Sequence, residues 1–123
     1  MKQRILVLAS LLSLVGLLGV GCGGWTTYEE YKCQNPNTTV TYQNFVKGFL
    51  DKWCNYCHSV TSENRRGAPV AYVFDTYASV VALKKRIFLR SAANNITMPP
   101  GPDDPPLEER NKLAEWIACG TPR

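Results

Sequence analysis

Apolar side chains recur with a helical period in the stretch that follows Thr41. They occupy positions i, i+3, i+4, i+7, i+8 and i+11, which lie on one face of an amphipathic helix: Tyr42, Phe45, Val46, Phe49, Leu50 and Trp53. Thr41 stands where a helix N-cap belongs, because its hydroxyl can accept a hydrogen bond from a free backbone N–H of the first turn. The pattern therefore predicts a first helix that runs directly into Cys54.

Two later stretches have the same helical spacing. The second covers about Thr76 to Ala92. The third begins after the segment 103–106, where an Asp cap, a proline in the first turn and two glutamates favour helix initiation, and Gly120 ends it. Its apolar side consists of Leu113, Trp116 and Ile117. Gly and Pro mark 59–73 and 94–101 as loops, and no useful strand pattern competes, so the predicted class is all-α.

The N-terminal residues have the pattern of an export signal. Residues 1–4 are basic, and 5–21 form an uncharged apolar run of 17 residues, at the lower limit for spanning a bilayer. Small residues then precede Cys22, which resembles a bacterial lipoprotein signal, where the cysteine takes a lipid and becomes the new N-terminus. Ordinary cleavage and a retained anchor remain alternatives. Each one exports the chain to an oxidising compartment, and lipidation places it on the periplasmic side of a bacterial membrane.

The rest of the chain divides into a polar segment and one domain. Residues 22–40 have no sustained apolar period, and we interpret them as a tether that becomes an ordered arm near Cys33. Residues 41–123 are the domain. A length of 123 residues with 45% hydrophobic and 20% charged residues allows only one compact unit. The 14 basic and 10 acidic residues give a net charge of +4, which falls to +2 once Lys2 and Arg4 are removed with the signal. This net charge is too small for a nucleic-acid partner.

Five cysteines and one histidine carry the candidate chemistry. Cys54, Cys57 and His58 form C-x-x-C-H, the pattern of covalent c-type haem attachment. Two thiols three residues apart can each bond one vinyl group at a haem edge, and the following imidazole then lies under the iron. A redox dithiol is one alternative, and a zinc site completed by Cys33 and Cys119 is another.

Met98 is the candidate for the sixth ligand of the haem iron. The chain has no second histidine, and Met98 is the only methionine left once the signal is removed. Pro99 and Pro100 restrict the backbone of its loop, so the thioether has little entropy still to lose when it binds. The alternative is a buried methionine that fills a gap in the core.

Together these residues resemble a small monohaem class I c-type cytochrome over about Thr41 to Gly120. The resemblance implies three main helices around one covalent haem c, with the first and last helices crossing over a haem edge. It also implies that the carbonyl of Pro69, 11 residues after His58, accepts the other N–H of the imidazole. The register of Gly48 departs from the family's helix-crossing glycine, and only 40 residues separate His58 from Met98.

Once Cys22 is assigned to the lipid and Cys54 and Cys57 to the haem, two of the five cysteines remain, Cys33 and Cys119. In an oxidising compartment we expect a disulfide between them, closing a loop of 119 − 33 = 86 residues. The family does not supply this bond. Two free thiols or an intermolecular link are the alternatives.

The expected function is electron transfer rather than catalysis, because His58 and Met98 together leave no open coordination site on iron. The expected partners are redox proteins, in particular a membrane-bound respiratory or dehydrogenase complex, with no small-molecule substrate. Basic residues are candidates for docking an acidic partner or pairing with haem propionates, although a solvated face explains them equally well: Lys84, Lys85, Arg86, Arg90 and Arg65 or Arg66. The alternative is a peroxidase-like enzyme or a gas sensor in which the sixth ligand is displaced.

Overall fold

The computed structural model describes residues 24–123. The predicted signal segment and Cys22 therefore lie outside the described residues. In the described part the chain is helical and has no strand, which confirms the all-α prediction there. The elements are a π-helical segment Tyr42–Val46, α1 (Lys47–Trp53), α2 (Asn55–His58), α3 (Tyr77–Ser91) and α4 (Leu107–Ala118). None of these helices has the length and apolar character needed to cross a membrane.

The first helix begins at the predicted cap. The Asn44 N–H donates to Thr41 Oγ1 (3.1 Å) and the Thr41 N–H donates to Asn44 Oδ1 (2.8 Å), which forms a reciprocal capping box. The sequence predicts a first helix that runs directly into Cys54, and the structure confirms it: α1 ends at Trp53, and the φ of Cys54, −122°, is not helical. The Cys54 carbonyl accepts the N–H groups of Cys57 (3.1 Å) and His58 (3.0 Å), so C-x-x-C-H forms its own turn.

The other two predicted helices are present with small differences. A second capping box, between Thr76 and Ser79, starts α3. The predicted Asp cap of α4 is wrong: Pro106 occupies the cap position with φ −53° and ψ 147°, and no side chain caps the helix. Two prolines separate Asp104 from the first turn, so its carboxylate is too far back along the chain to act as the cap. Gly120, with a φ of +92°, follows the end of α4 as predicted.

The π-helical segment and α1 follow each other directly and together form the first helix. The core lies where this first helix, α3 and α4 meet. Fully buried side chains come from all three: Val46, Leu50, Val80, Phe88, Leu113 and Trp116. The ring of Tyr42 lies 5.3 Å from that of Tyr77 and 6.4 Å from that of Trp116, measured between centroids. Gly48 is exposed, and a Cβ atom added to it would meet nothing within 4 Å. Contact with α4 therefore does not depend on Gly48: it comes from the π-helical segment and from Trp53 of α1, whose indole N–H donates to Glu109 (2.8 Å).

The N-terminal arm is already packed on the core at Tyr28, earlier than the predicted position near Cys33. The rings of Tyr28 and Tyr31 meet the ring of Phe88 edge-on, at centroid distances of 5.7 and 5.5 Å. The buried Asn95 amide donates to the carbonyls of Thr26 (2.9 Å) and Phe88 (3.0 Å). The arm is therefore part of the folded domain from Tyr28 onward.

The predicted disulfide between Cys33 and Cys119 is present in the structure. It joins the arm to the residue that follows α4, across a sequence separation of 86 residues. A cross-link over a loop of that length removes much conformational freedom from the unfolded chain.

Replacing both cysteines (Cys33→Ser with Cys119→Ser) is expected to lower the free energy of unfolding by about 2–5 kcal/mol, because the unfolded chain regains that freedom. Urea unfolding of the two proteins measures the difference. A thiol count on the unreduced, denatured wild type should find neither Cys33 nor Cys119 reactive. Equal stability together with two reactive thiols would contradict the bond.

Candidate functional site

One partly enclosed cavity brings the sequence-predicted residues together. Its volume is about 410 Å³, within the usual range for small-molecule and cofactor sites. Cys54, Cys57, His58, Pro69 and Met98 all line it. The turn 54–58 and the loop around Met98 are distant in sequence, so the fold itself creates this meeting of two thiols, an imidazole and a thioether.

The two thiols of the turn are free and partly buried. Burial raises the pKa of the Cys54 thiol to about 12, and the neighbouring Cys57 adds to the effect. A redox-active dithiol works through a thiolate and therefore through a lowered pKa. The environment of Cys54 raises the thiol pKa instead of lowering it, which counts against a thioredoxin-like role.

The zinc alternative lacks ligands. Cys33 and Cys119 are bonded to each other and are not available to a metal ion. Across residues 24–123 there is no group of three or more His, Cys, Asp or Glu side chains placed to hold a metal ion. A tetrahedral structural zinc site needs four such ligands.

His58 ends α2, and contacts on both its ring and its backbone hold it in place. Its Nδ1 lies 2.8 Å from the carbonyl oxygen of Tyr72. Because a carbonyl only accepts, Nδ1 carries the proton and the Nε2 lone pair is available to a metal. The ring stacks on Phe74 at a centroid distance of 4.7 Å and an angle of 23°, and the Phe74 N–H donates to the His58 carbonyl (2.9 Å).

The acceptor for His58 is a correction to the sequence prediction, which gave this role to Pro69. The Pro69 carbonyl instead accepts the Tyr72 N–H (3.0 Å) and the Arg65 Nη2–H (2.8 Å). Both of its lone pairs are therefore used inside a tight turn. The turn presents the carbonyl of Tyr72, three residues later, to the imidazole.

Met98 is held by its main chain, and the residue is 38% exposed. Its N–H donates to the Arg90 carbonyl (2.9 Å), and the buried Ser91 hydroxyl donates to the Met98 carbonyl (3.0 Å). Both partners belong to the last turn of α3. A methionine that fills a core gap would be buried, so the exposure of Met98 argues against that alternative.

Several residues of the site have no sequence signal. Tyr72 acts through its carbonyl, a group that every residue type possesses. Its ring lies under Arg86, with the guanidinium carbon 4.4 Å from the ring centroid. Phe74 supports the imidazole from the short segment between the predicted loop 59–73 and the helix predicted from about Thr76. Such roles depend on where the folded loop passes and not on a motif.

The cavity has a basic rim. Five basic side chains line it against the single acidic Asp103: Lys52, Arg65, Arg66, Arg86 and Arg90. Of the other predicted docking residues, Lys85 forms an ion pair with Glu29 of the N-terminal arm. Lys85 therefore has a partner within the chain, and so does the rim cation Lys52, whose Nζ lies 3.5 Å from Glu109 Oε1.

The side chains fit a covalently bound haem. Two free thiols, an imidazole with an available Nε2, and a thioether are the donor types of c-type haem attachment and His/Met ligation. No known family matches the chain, and no curated protein or solved structure matches it either. The case for this site therefore rests on its own residues.

The raised pKa of Cys54 predicts slow alkylation in chain produced without haem. In a Cys57→Ala variant, iodoacetamide at pH 8.5 should modify folded Cys54 at least about a hundredfold more slowly than urea-unfolded Cys54, because only the thiolate reacts. The rate should rise with pH up to about 11. Mass spectrometry of the Cys54 peptide, without reductant, measures it. Equal rates in the folded and unfolded chain would contradict the buried thiol.

Proposed function

We propose that this chain is an exported monohaem electron carrier of the c-type cytochrome kind. One haem c is held covalently by Cys54 and Cys57, and His58 and Met98 are its axial ligands. The observation that carries the proposal is that all four side chains line one cavity, although 40 residues separate His58 from Met98. When bound, the haem iron supplies a one-electron Fe(III)/Fe(II) couple.

The first helix, α3 and α4 provide the frame for this site. α1 leads into Cys54, the last turn of α3 holds the Met98 loop, and α4 packs behind both in the core. In the proposed holoprotein these three main helices surround the haem. The two cysteines would then hold the cofactor, and the end of α2 and the Met98 loop would supply the ligands.

His58 is suited to be the proximal ligand because its proton is fixed on Nδ1. The Tyr72 carbonyl accepts that proton, and the stacked Phe74 ring limits rotation of the imidazole. A hydrogen bond of this kind orients a metal-bound histidine and raises its basicity. Nε2 is therefore presented to iron in one tautomer and one orientation.

Met98 is suited to be the distal ligand because its backbone is anchored at both the N–H and the carbonyl. If His58 and Met98 both bind the iron, no coordination position would be left for a substrate, which favours a carrier over an enzyme. Methionine and histidine ligation also raises the reduction potential relative to histidine alone.

The rim of the cavity suggests the kind of partner. Arg66, Arg86 and Arg90 form no ion pair in the described chain, and with only Asp103 as a lining carboxylate they favour a redox protein with an acidic docking face. The attraction would weaken with salt. The proposed signal segment and a lipid on Cys22 would hold the carrier at the periplasmic side of a membrane. A membrane-bound respiratory or dehydrogenase complex is then the partner within reach.

Met98→Ala is the variant that tests the ligand set. In protein made with a cytochrome maturation system, the oxidised wild type should show the weak charge-transfer absorption band of an iron–thioether bond. Met98→Ala should lose that band and lower the midpoint potential, because the thioether favours Fe(II). Absorption spectroscopy and redox titration measure these changes. Ile96→Ala, an exposed residue of the same loop, is the matched control and should leave both unchanged.

An unchanged spectrum in Met98→Ala would show that Met98 is not a ligand. If the wild type were also high-spin and its spectrum changed on addition of carbon monoxide or hydrogen peroxide, the peroxidase-like or gas-sensing alternative would be the better account.

A further inference from the structure

We propose that Arg65 is a positioning residue for His58, acting through the carbonyl of Tyr72. The inference rests on the proposed function, because the orientation of His58 matters for a metal ligand. Arg65 is partly buried, and its guanidinium bonds only to main-chain carbonyls. Nη1–H donates to Ser59 (2.7 Å), Nε–H to Ala68 (3.1 Å), and Nη2–H to Pro69 (2.8 Å) and Tyr72 (3.4 Å).

The Tyr72 carbonyl is the link between Arg65 and the imidazole. It accepts the His58 Nδ1–H at 2.8 Å and the Arg65 Nη2–H at 3.4 Å, and a carbonyl has two lone pairs for two donors. Arg65 also bonds the Pro69 carbonyl at the start of the same turn. The guanidinium therefore fixes both ends of the turn that presents the acceptor to His58.

The loop needs such a clamp because it has no regular structure of its own. Between α2 and α3 the described chain has neither helix nor strand, so few of its carbonyls receive backbone donors. Arg65 supplies donors to four loop carbonyls from one side chain, and two of these, Ala68 and Tyr72, accept no backbone N–H in the described chain. It has no ion pair with a carboxylate in residues 24–123, so its hydrogen bonds go to the loop backbone.

Arginine is the side chain that can do this. Its planar guanidinium carries five N–H donors in a fixed fork, whereas lysine has one nitrogen on a flexible stem. Four carbonyls that point toward one centre from Ser59 to Tyr72 match the fork. A lysine at this position would keep the charge and lose most of the geometry.

The neighbouring Arg66 provides a matched control. It lines the same cavity and carries the same charge, but its guanidinium lies over the Tyr56 ring, 5.2 Å from the centroid. Within the described chain it has no side-chain hydrogen bond to the Tyr72 carbonyl. Arg66→Gln therefore removes an equivalent charge and leaves the clamp in place.

The test is the solvent-exchange rate of the His58 Nδ1 proton, followed by NMR in the reduced, diamagnetic holoprotein. Arg65→Gln and Arg65→Lys are expected to raise this rate about tenfold or more, because the Tyr72 carbonyl is no longer held. Arg66→Gln should leave it unchanged. The Trp116 indole N–H donates to the Pro122 carbonyl (2.7 Å), and the exchange rate of its proton reports global opening of the fold. That rate should not change in any variant.

Two results with the variants would overturn the proposal. One is an unchanged exchange rate of the His58 Nδ1 proton in both Arg65 variants. The other is an equal increase in the exchange rates of the His58 and Trp116 protons, which would mean that Arg65 only stabilises the whole fold. A measurement on the wild type does not depend on the variants folding: the Arg65 Nε–H should exchange slowly, and a freely exchanging Nε–H would also overturn the proposal. Loss of covalent haem from the wild type would instead overturn the proposed function.

Discussion

Burial of the apolar face of the first helix is the constraint on which the site depends. Val46 and Leu50 are enclosed with Trp116 in one core, and truncating a fully buried side chain of these sizes costs about 2–5 kcal/mol. That packing fixes where α1 ends and therefore where Cys54 stands. The turn that follows carries Cys57 and His58. The helix before it sets where this turn starts, and Phe74, which packs against the core, supports its end at His58.

Main-chain hydrogen bonds then bring two loops to this turn. The Met98 loop is tied to the end of α3 at both its N–H and its carbonyl, and the loop after α2 is tied to His58 through Tyr72 and clamped by Arg65. Net hydrogen bonds of this kind contribute about 0.5–1.5 kcal/mol each. The site is therefore positioned by several weak, directional contacts placed on a strongly packed frame.

The sequence predicts those parts of the structure in which residue type itself carries the signal. The apolar period from Tyr42 to Trp53, the Thr41 cap and the cysteines left for a disulfide all depend on side-chain identity, and the structure contains each of them. The Asp cap of α4 failed because two consecutive prolines displace the helix start. Pro69 failed as the acceptor because its carbonyl is already used within a turn, and only the folded backbone shows that Tyr72 replaces it.

The proposed covalent bond between one haem and the turn 54–58 is tested most directly by the mass of the denatured protein. Protein made with a cytochrome maturation system should retain the added mass of one haem after denaturation and removal of free cofactor. A variant with both Cys54→Ala and Cys57→Ala should have none. A wild type that keeps no haem under these conditions would contradict the account.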